Sequence, residues 1–360
     1  MICILYVSLC ILLCGITPAE ALDFGEAGEI SGNYRNLLFA GDSPAGHFVQ
    51  TDSNRLRLQW DSRQWGQVGG NGALTAHLAY DNELFGGGLV STPAFRAASL
   101  LPQATWADGE QTVLRRGRMF WRHTLYRGWV NWDDGNTQLR LGRQRIAWGS
   151  GRMWNPTDRF NPVDPTALEA DQKIGVDSAL GEWRYSSSGV IQIVAAPGRG
   201  ARRVSRKAAL RARDTFGETD VALLAGRMGS ETVYGLDMAA NVLDGGLHGE
   251  MLHARPQGKA SYSQLSSGYE YTLTNRIFPQ GLYLLGEYFF NGAAQRVLPG
   301  AGDRLNSRVR HLFGLSAGYD LTPMLRLQFS AILDPVKGSV FAAPRLSWSL
   351  AENIDLAAFW

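Results

Sequence analysis

Leu325-Arg326-Leu327-Gln328-Phe329-Ser330-Ala331-Ile332-Leu333 alternates apolar and polar side chains over its first seven positions. A period of two places Leu325, Leu327, Phe329, Ala331 and Leu333 on one face of an extended strand, and Arg326, Gln328 and Ser330 on the other. A helix would scatter both sets around its circumference. The next segment repeats the pattern, with Val340, Ala342, Leu346, Trp348 and Leu350 opposing Arg345, Ser347 and Ser349. Leu265, Tyr269, Tyr271 and Leu273 oppose Gln264, Ser266, Glu270 and Thr272. Near the start, Leu56, Leu58 and Trp60 oppose Arg55, Arg57, Gln59 and Asp61, while Leu74, Leu78 and Tyr80 oppose Thr75, His77, Asp81 and Glu83.

Soluble sandwiches alternate too, so three further features decide the class. The segments run to roughly 10–12 residues, longer than the ~5–6 of soluble sheets and close to the ~9–11 of a tilted membrane strand. Aromatic residues gather near segment ends (Trp60, Trp121, Trp132, Trp148, Phe290, Tyr319, Trp348), where membrane interfaces place them. The third feature is the spacing of the connections. Strands are expected over 27–40, 53–64, 72–83, 119–132, 137–148, 179–187, 190–197, 205–214 and 219–229. Further strands are expected over 232–243, 246–255, 262–274, 281–291, 310–320, 325–335, 340–350 and 354–360. The long gaps 41–52, 84–118, 149–178 and 292–309 all follow odd-numbered strands. The tight turns at Asp133-Asp134-Gly135-Asn136, Asp244-Gly245, Leu321-Thr322-Pro323-Met324 and Ala351-Glu352-Asn353 all follow even-numbered ones. Short turns on one side and long loops on the other mark an outer-membrane barrel. The fold class is therefore all-β, a transmembrane antiparallel up-and-down β-barrel of 16–18 strands. By this count residues 354–360 run outward, which leads us to expect an 18-strand design lacking its C-terminal strand. The other reading takes Phe359-Trp360 as the aromatic end of a 16-strand barrel.

Composition fits. The chain has 360 residues, 45% apolar and 19% charged, with 42 Gly. That charged fraction lies below the usual ~25% of soluble domains. No apolar run reaches the ~18 residues of a spanning helix. A net charge of +2 gives no reason to expect nucleic acid. Cys3, Cys10 and Cys14 are the only cysteines. They lie in an apolar run from Ile2 to Ile16, ahead of Ala19-x-Ala21, the small-residue cleavage pattern of a secretory signal. The first basic residue is Arg35, so the usual positive start is absent, and Leu13 disfavours lipid acylation of Cys14. Residues 1–21 are expected to be a cleaved signal peptide and 22–360 the barrel, with outer loops at 84–118, 149–178 and 292–309. The expected location is the outer membrane of a Gram-negative bacterium. Lipid, lipopolysaccharide and the barrel-assembly machinery are the expected partners, with no nucleic acid among them. The basic run from Arg199 to Arg213 then meets lipid phosphates or solvent.

A barrel of this width encloses water, so passage of solute is the expected function. Alternation turns Arg55, Arg57, Arg140, Arg184, Arg211, Arg326 and Arg345 inward, together with Asp61, Asp81, Glu83, Glu182, Asp237, Glu250, Glu270 and Glu287. Opposed charges across a lumen favour polar solutes, and arginine suits carboxylate or phosphate. The same residues also suit structural ion-pair ladders, and the sequence leaves both readings open. Basic charge is almost all arginine, the only lysines being Lys173, Lys207, Lys259 and Lys337.

The most distinctive stretch runs from Leu141-Gly142-Arg143-Gln144-Arg145-Ile146-Ala147-Trp148-Gly149 through Ser150-Gly151-Arg152-Met153-Trp154 into Asn155-Pro156-Thr157-Asp158-Arg159-Phe160-Asn161-Pro162-Val163-Asp164. Asn-Pro-x-Asp occurs twice, six residues apart, and favours compact turns. With Gly286-Glu287-Tyr288 and Asn291-Gly292, this stretch resembles large Gram-negative outer-membrane porins, nearest to the alginate-export and related uncharacterised porin-like families. The resemblance implies that the third outer loop folds into the lumen, with Arg143, Arg145, Arg152 and Arg159 lining a constriction that meets anionic solutes or polysaccharide. The competing reading has these arginines bind lipopolysaccharide phosphates or brace the loop. Two other functions stay open: export of an anionic polysaccharide, and a barrel partner that sheathes an electron-transfer or secretion complex.

Catalytic and metal chemistry find little support. Asp158, Asp164, Asp171 and Asp177, with Asn155 and Asn161, offer oxygen ligands for Ca²⁺, but their spacing matches no calcium loop. The histidines are dispersed, and His248 and His253 fall on opposite faces of one strand. No enzyme, cofactor or resident metal is expected.

Overall fold

The computed structural model describes residues 9–16, 22–42, 48–65, 72–100, 105–161, 175–199, 205–294 and 309–359. It is all-β. Strands β1 (Leu9–Ile16), β2 (Leu22–Asp23), β3 (Glu29–Asp42), β4 (Phe48–Asp61) and β5 (Ala73–Gly87) come first. Helix α1 (Pro93–Leu100) precedes β6 (Glu110–Arg116), β7 (Met119–Asp133), β8 (Thr137–Gln144) and β9 (Val176–Arg184). Next come β10 (Val190–Ala196), β11 (Lys207–Phe216), β12 (Thr219–Met228), β13 (Glu231–Val242) and β14 (Gly245–Pro256). The chain continues through β15 (Tyr262–Leu273), β16 (Leu282–Asn291) and β17 (His311–Thr322). It ends in β18 (Leu325–Asp334), β19 (Ser339–Ala351) and β20 (Ile354–Phe359). Among the described residues, no helix is long and apolar enough to cross a membrane.

Setting aside β1, β2 and β6, the remaining seventeen strands pair antiparallel, each with the next along the chain, as an up-and-down wall. They correspond one for one with the expected strands, the faint 205–214 segment included, which appears as β11. β3 and β20 do not pair with each other among the described residues. β1 lies between them and pairs with both, Cys10 opposite Phe359 on one side and opposite Phe39 on the other. β1 falls within the stretch that the sequence reads as a signal peptide.

The wall's two faces follow the period of two. On β12, Leu223 is 61% exposed while its neighbours Ala222 and Leu224 are buried. On β14, Leu247 and Met251 face outward, and His248, Glu250, Leu252 and Ala254 are buried inward. An apolar outer face and a polar inner one is the arrangement lipid demands. The outer face also carries polar clusters among the described residues. On the face that carries Leu56 and Leu58, Asn36 Nδ2 donates to Asp52 Oδ1 (2.5 Å) and Asn54 Oδ1 (2.9 Å), and Asn54 Nδ2 donates to Asp52 Oδ2 (2.9 Å). Tyr34 adds a hydroxyl donor to Asn54. The cluster satisfies itself internally, as polar groups in an apolar setting must.

The four tight turns expected from the sequence lie at one end. Asp133 and Asp134 cap the β7–β8 turn by accepting from the Gly135, Asn136 and Thr137 amides. Leu243 and Asp244 take positive φ (50° and 60°) in a two-residue hairpin whose twist matches the flanking strands. At the same end, Trp60 Nε1 donates to Ala27 O at 3.0 Å, and the Tyr269 hydroxyl reaches the Val242 and Leu243 carbonyls.

Three boundaries differ from expectation. β4 covers 48–61 rather than 53–64, and lies opposite β3 as far as Asp42–Phe48, so little of the expected 41–52 loop remains. The 84–118 loop contains α1 and β6, which continues the sheet along β7 beyond the end of β8 and so covers an open edge. The 137–148 strand stops at Gln144, because the residues after it turn into the interior. Of the 292–309 loop, residues 295–308 lie outside the described residues, as do Asp164, Asp171 and Trp360.

Candidate functional site

β8 ends at a backbone kink. Gly142 has φ +125°, a conformation that L side chains rarely adopt, and a Cβ there would run into the Gly128 carbonyl. Arg143 then points into the wall: Nε donates to Asp177 Oδ1 (2.8 Å), Nη1 to Leu125 O (2.7 Å) and Nη2 to Ala107 O (2.8 Å). From Arg145 to Asn161 the chain crosses the interior. Its neck is tied by the Ile146 amide donating to Asn161 Oδ1 at 2.9 Å. The first Asn-Pro-x-Asp motif makes the expected turn. Asp158 N donates to Asn155 O (3.1 Å), and Asp158 Oδ1 accepts from the Asn161 amide (2.8 Å).

The loop is held by carboxylates from four consecutive strands. Glu250 on β14 accepts from the Gly151 amide at 2.7 Å and from both the amide and the hydroxyl of Thr157, at 3.0 and 2.6 Å. Glu287 on β16 takes the amides of Arg152, Met153 and Trp154 at 3.0, 3.1 and 2.8 Å. It also accepts from the Ser266 hydroxyl and contacts His248 Nε2 at 3.1 Å. Successive amides converging on one carboxylate form an anion nest whose anion the protein itself supplies. On β13, Asp237 accepts from the Ser150 hydroxyl (2.5 Å), and Glu231 pairs with Arg159 at 2.9 Å. Glu270 on β15 takes Arg152 through Nε and Nη2 and accepts from the Tyr283 hydroxyl. That hydrogen bond to Glu270 raises the Arg152 guanidinium pKa above its usual value, so the side chain is a permanent cation.

Apolar packing completes the seat. Ile146, Trp148 and Phe160 join Leu180, Val194, Leu224, Val233 and Leu252 in one buried cluster, with Trp148 edge-on to Phe160 at 5.2 Å. Trp154 stacks on Phe289 at 5.5 Å and packs with Met153 and Leu285. Loop side chains therefore pack against the inner face of the wall along β9–β16.

Two expectations are corrected here. Arg143 and Arg159 are each 2% exposed and engaged by Asp177 and Glu231, so neither faces solute. A buried guanidinium without a carboxylate would be prohibitively costly, which is why both have one. Glu287 also changes role: it is 3% exposed and anchors the loop. Arg152 and Arg145 stay open to solvent, Arg152 at 56% side-chain exposure and Arg145 exposed. Glu250 was expected to face inward but not to hold the loop, and Glu231 was not among the expected inward residues. Glu231 sits one residue before the expected 232–243 strand, and only its parity with Val233 and Asp237 signalled an inward direction.

The opposite wall is laced with ion pairs. Arg57 pairs with Asp81 at 2.6 Å and lies over the Tyr126 ring at 3.5 Å, with Arg55 half-buried on the same strand. Arg122 pairs with Glu83 at 2.6 Å. At the short-turn end, Arg184 bridges Asp133 and Glu182, and Arg326 meets Asp320 at 3.0 Å. Arg140 lies over Trp129, while Arg345 donates to Ser347 and lies over Phe359. Asp158 is 3% exposed and occupied by Asn161. Among the described residues, no group of three His, Cys, Asp or Glu side chains could hold a metal ion. His248 faces inward to Glu287 and His253 outward to Ser263, on opposite faces.

No protein-family model matches the chain, and no curated protein matches it. Among solved structures, a multiply substituted porin of Rh. blastica is similar at 8% identity and TM-score 0.48, over 99% of this chain and 100% of that one. A second variant of that porin is similar at 9% identity and TM-score 0.47, over 98% and 100%. A chain titled for asymmetric conductivity of engineered proteins is similar at 8% identity and TM-score 0.46, over 99% of each. Likeness at that level assigns no function.

Proposed function

We propose that the protein is a channel of the Gram-negative outer membrane, passing small polar solutes, anions among them, beside the inward loop. One observation carries this reading. The wall presents apolar side chains outward and opposed charges inward, and residues 145–161 are seated inside it on carboxylates rather than lying over its rim. A wall of seventeen strands surrounds more space than its own side chains occupy, so a loop folded inward narrows the path without needing to fill it. Arg145 and Arg152 are the loop cations open to that path. Anion preference rests on these two, because Arg143 and Arg159 are buried against their carboxylates, whereas Arg152 stays exposed beside Glu270.

Purified protein in planar bilayers tests the reading. Discrete KCl conductance steps are expected, with a reversal potential in asymmetric KCl of the sign for Cl⁻ preference. Absence of steps removes the channel, and a cation-selective potential removes the anion preference alone.

A further inference from the structure

Toward the short-turn end of the wall, β8, β9 and β10 together with Arg145–Trp148 enclose a cavity of about 370 Å³. That size lies near the lower end of pockets for small organic ligands, about 300–1,000 Å³. Its hydrogen-bonding capacity is lopsided. The charge of the lining carboxylate Glu182 is already met by Arg184, whose Nε donates to Oε1 at 3.0 Å, and Oε2 accepts from Gln192 Nε2 at 2.8 Å. Arg140 uses only Nε, donating to Asn131 Oδ1 at 3.1 Å, and lies over the Trp129 ring at 4.2 Å. Its two terminal nitrogens have no partner among the described residues. Arg145 is exposed and has no hydrogen bond or ion pair among the described residues. Gln192 Oε1 is a neutral acceptor with no partner among the described residues, and the unused charged capacity is cationic. Beside it the lining is apolar, and Trp148 and Leu180 are fixed there by the buried cluster behind them.

We propose that this cavity binds a small organic carboxylate: Arg140 and Arg145 take the carboxylate, and the Trp148–Leu180 wall takes the carbon skeleton. The proposal rests on the channel reading and names a class of solute for it. Guanidinium groups suit carboxylates through charge-assisted hydrogen bonds. An inorganic anion would satisfy the arginines but leave the apolar wall uncovered, and a neutral ring would cover the wall but leave the cations unmet.

The test titrates the refolded, detergent-solubilised chain calorimetrically with benzoate, inorganic phosphate and benzyl alcohol. KCl conductance is measured on the same preparation. Saturable benzoate binding is expected, with phosphate and benzyl alcohol at least about ten-fold weaker. Arg145→Gln and Arg140→Gln should each weaken benzoate by about ten-fold, as loss of a charge-assisted bond requires, and Arg140→Lys should restore part of it. Arg145 is exposed, so its variant folds whether or not the Arg140 variants do. No benzoate binding, binding unchanged by Arg145→Gln, or equal binding of phosphate or benzyl alcohol overturns the site. Conductance without benzoate binding removes the site and leaves the channel. Benzoate binding without conductance removes the channel and leaves a ligand site.

Discussion

Glu287 shows how one side chain organises a loop. It accepts three consecutive loop amides, together with the Ser266 hydroxyl, from a position that is almost fully buried. Glu287→Gln keeps the shape but removes the charge and one acceptor, and should cost about 1–3 kcal/mol of loop anchoring. The expected readout is faster proteolysis within 145–161 and noisier, larger conductance steps; an unchanged digestion pattern would show that Glu287 does not hold the loop. Gly149 offers a backbone test. Its φ is +96°, and an added Cβ would meet the Glu250 carboxylate at 2.5 Å. Gly149→Ala should destabilise by about 1–3 kcal/mol. Gly217, at φ +63° with open space around it, serves as the comparison; Gly217→Ala should cost only about 1 kcal/mol. Urea midpoints in lipid vesicles measure the difference, and equal midpoints would mean that Glu250 does not crowd Gly149.

At the scale of the element, each strand has to serve two solvents. Leu315 on β17 is 50% exposed on the outer face, and its neighbour Ser316 faces inward, where it meets Ser330 across the pair. Leu315→Arg should cost about 2–4 kcal/mol near the midplane, whereas Ser316→Arg should be tolerated. Folding yield into vesicles separates the two variants, and the reverse order would invert the assignment of faces. Most strands were legible because period two and turn chemistry are local: β18 was readable from nine residues, and the β7–β8 turn from its two Asp and a Gly. β6 was not. Its residues, Glu110–Arg116, look like loop until β7 extends past the end of β8 and offers them an edge. The end of β8 was misplaced for a related reason. Ile146 and Trp148 keep the alternation of a strand, yet they belong to a cluster built from β9–β15.

Across the whole molecule, the wall was legible in the chain alone. Alternation, strand length and the succession of short and long connections defined seventeen spanning strands and the face each residue takes, because these are properties of neighbours in the chain. What the inward charges do emerged only from the folded arrangement. Whether an inward arginine meets solute or a carboxylate depends on partners far along the chain. Arg159 finds Glu231 across 72 residues, and Arg152 finds Glu270 across 118. Nothing local distinguishes those arginines from Arg145, which has no such partner among the described residues. In the interior a guanidinium must be neutralised wherever water is excluded, and where water is excluded is settled by the loop's seat on Glu250 and Glu287. The apolar residues that seat it, Trp148 and Trp154 among them, read in sequence as interfacial or loop aromatics; they become core only once distant strands supply the side chains they pack against.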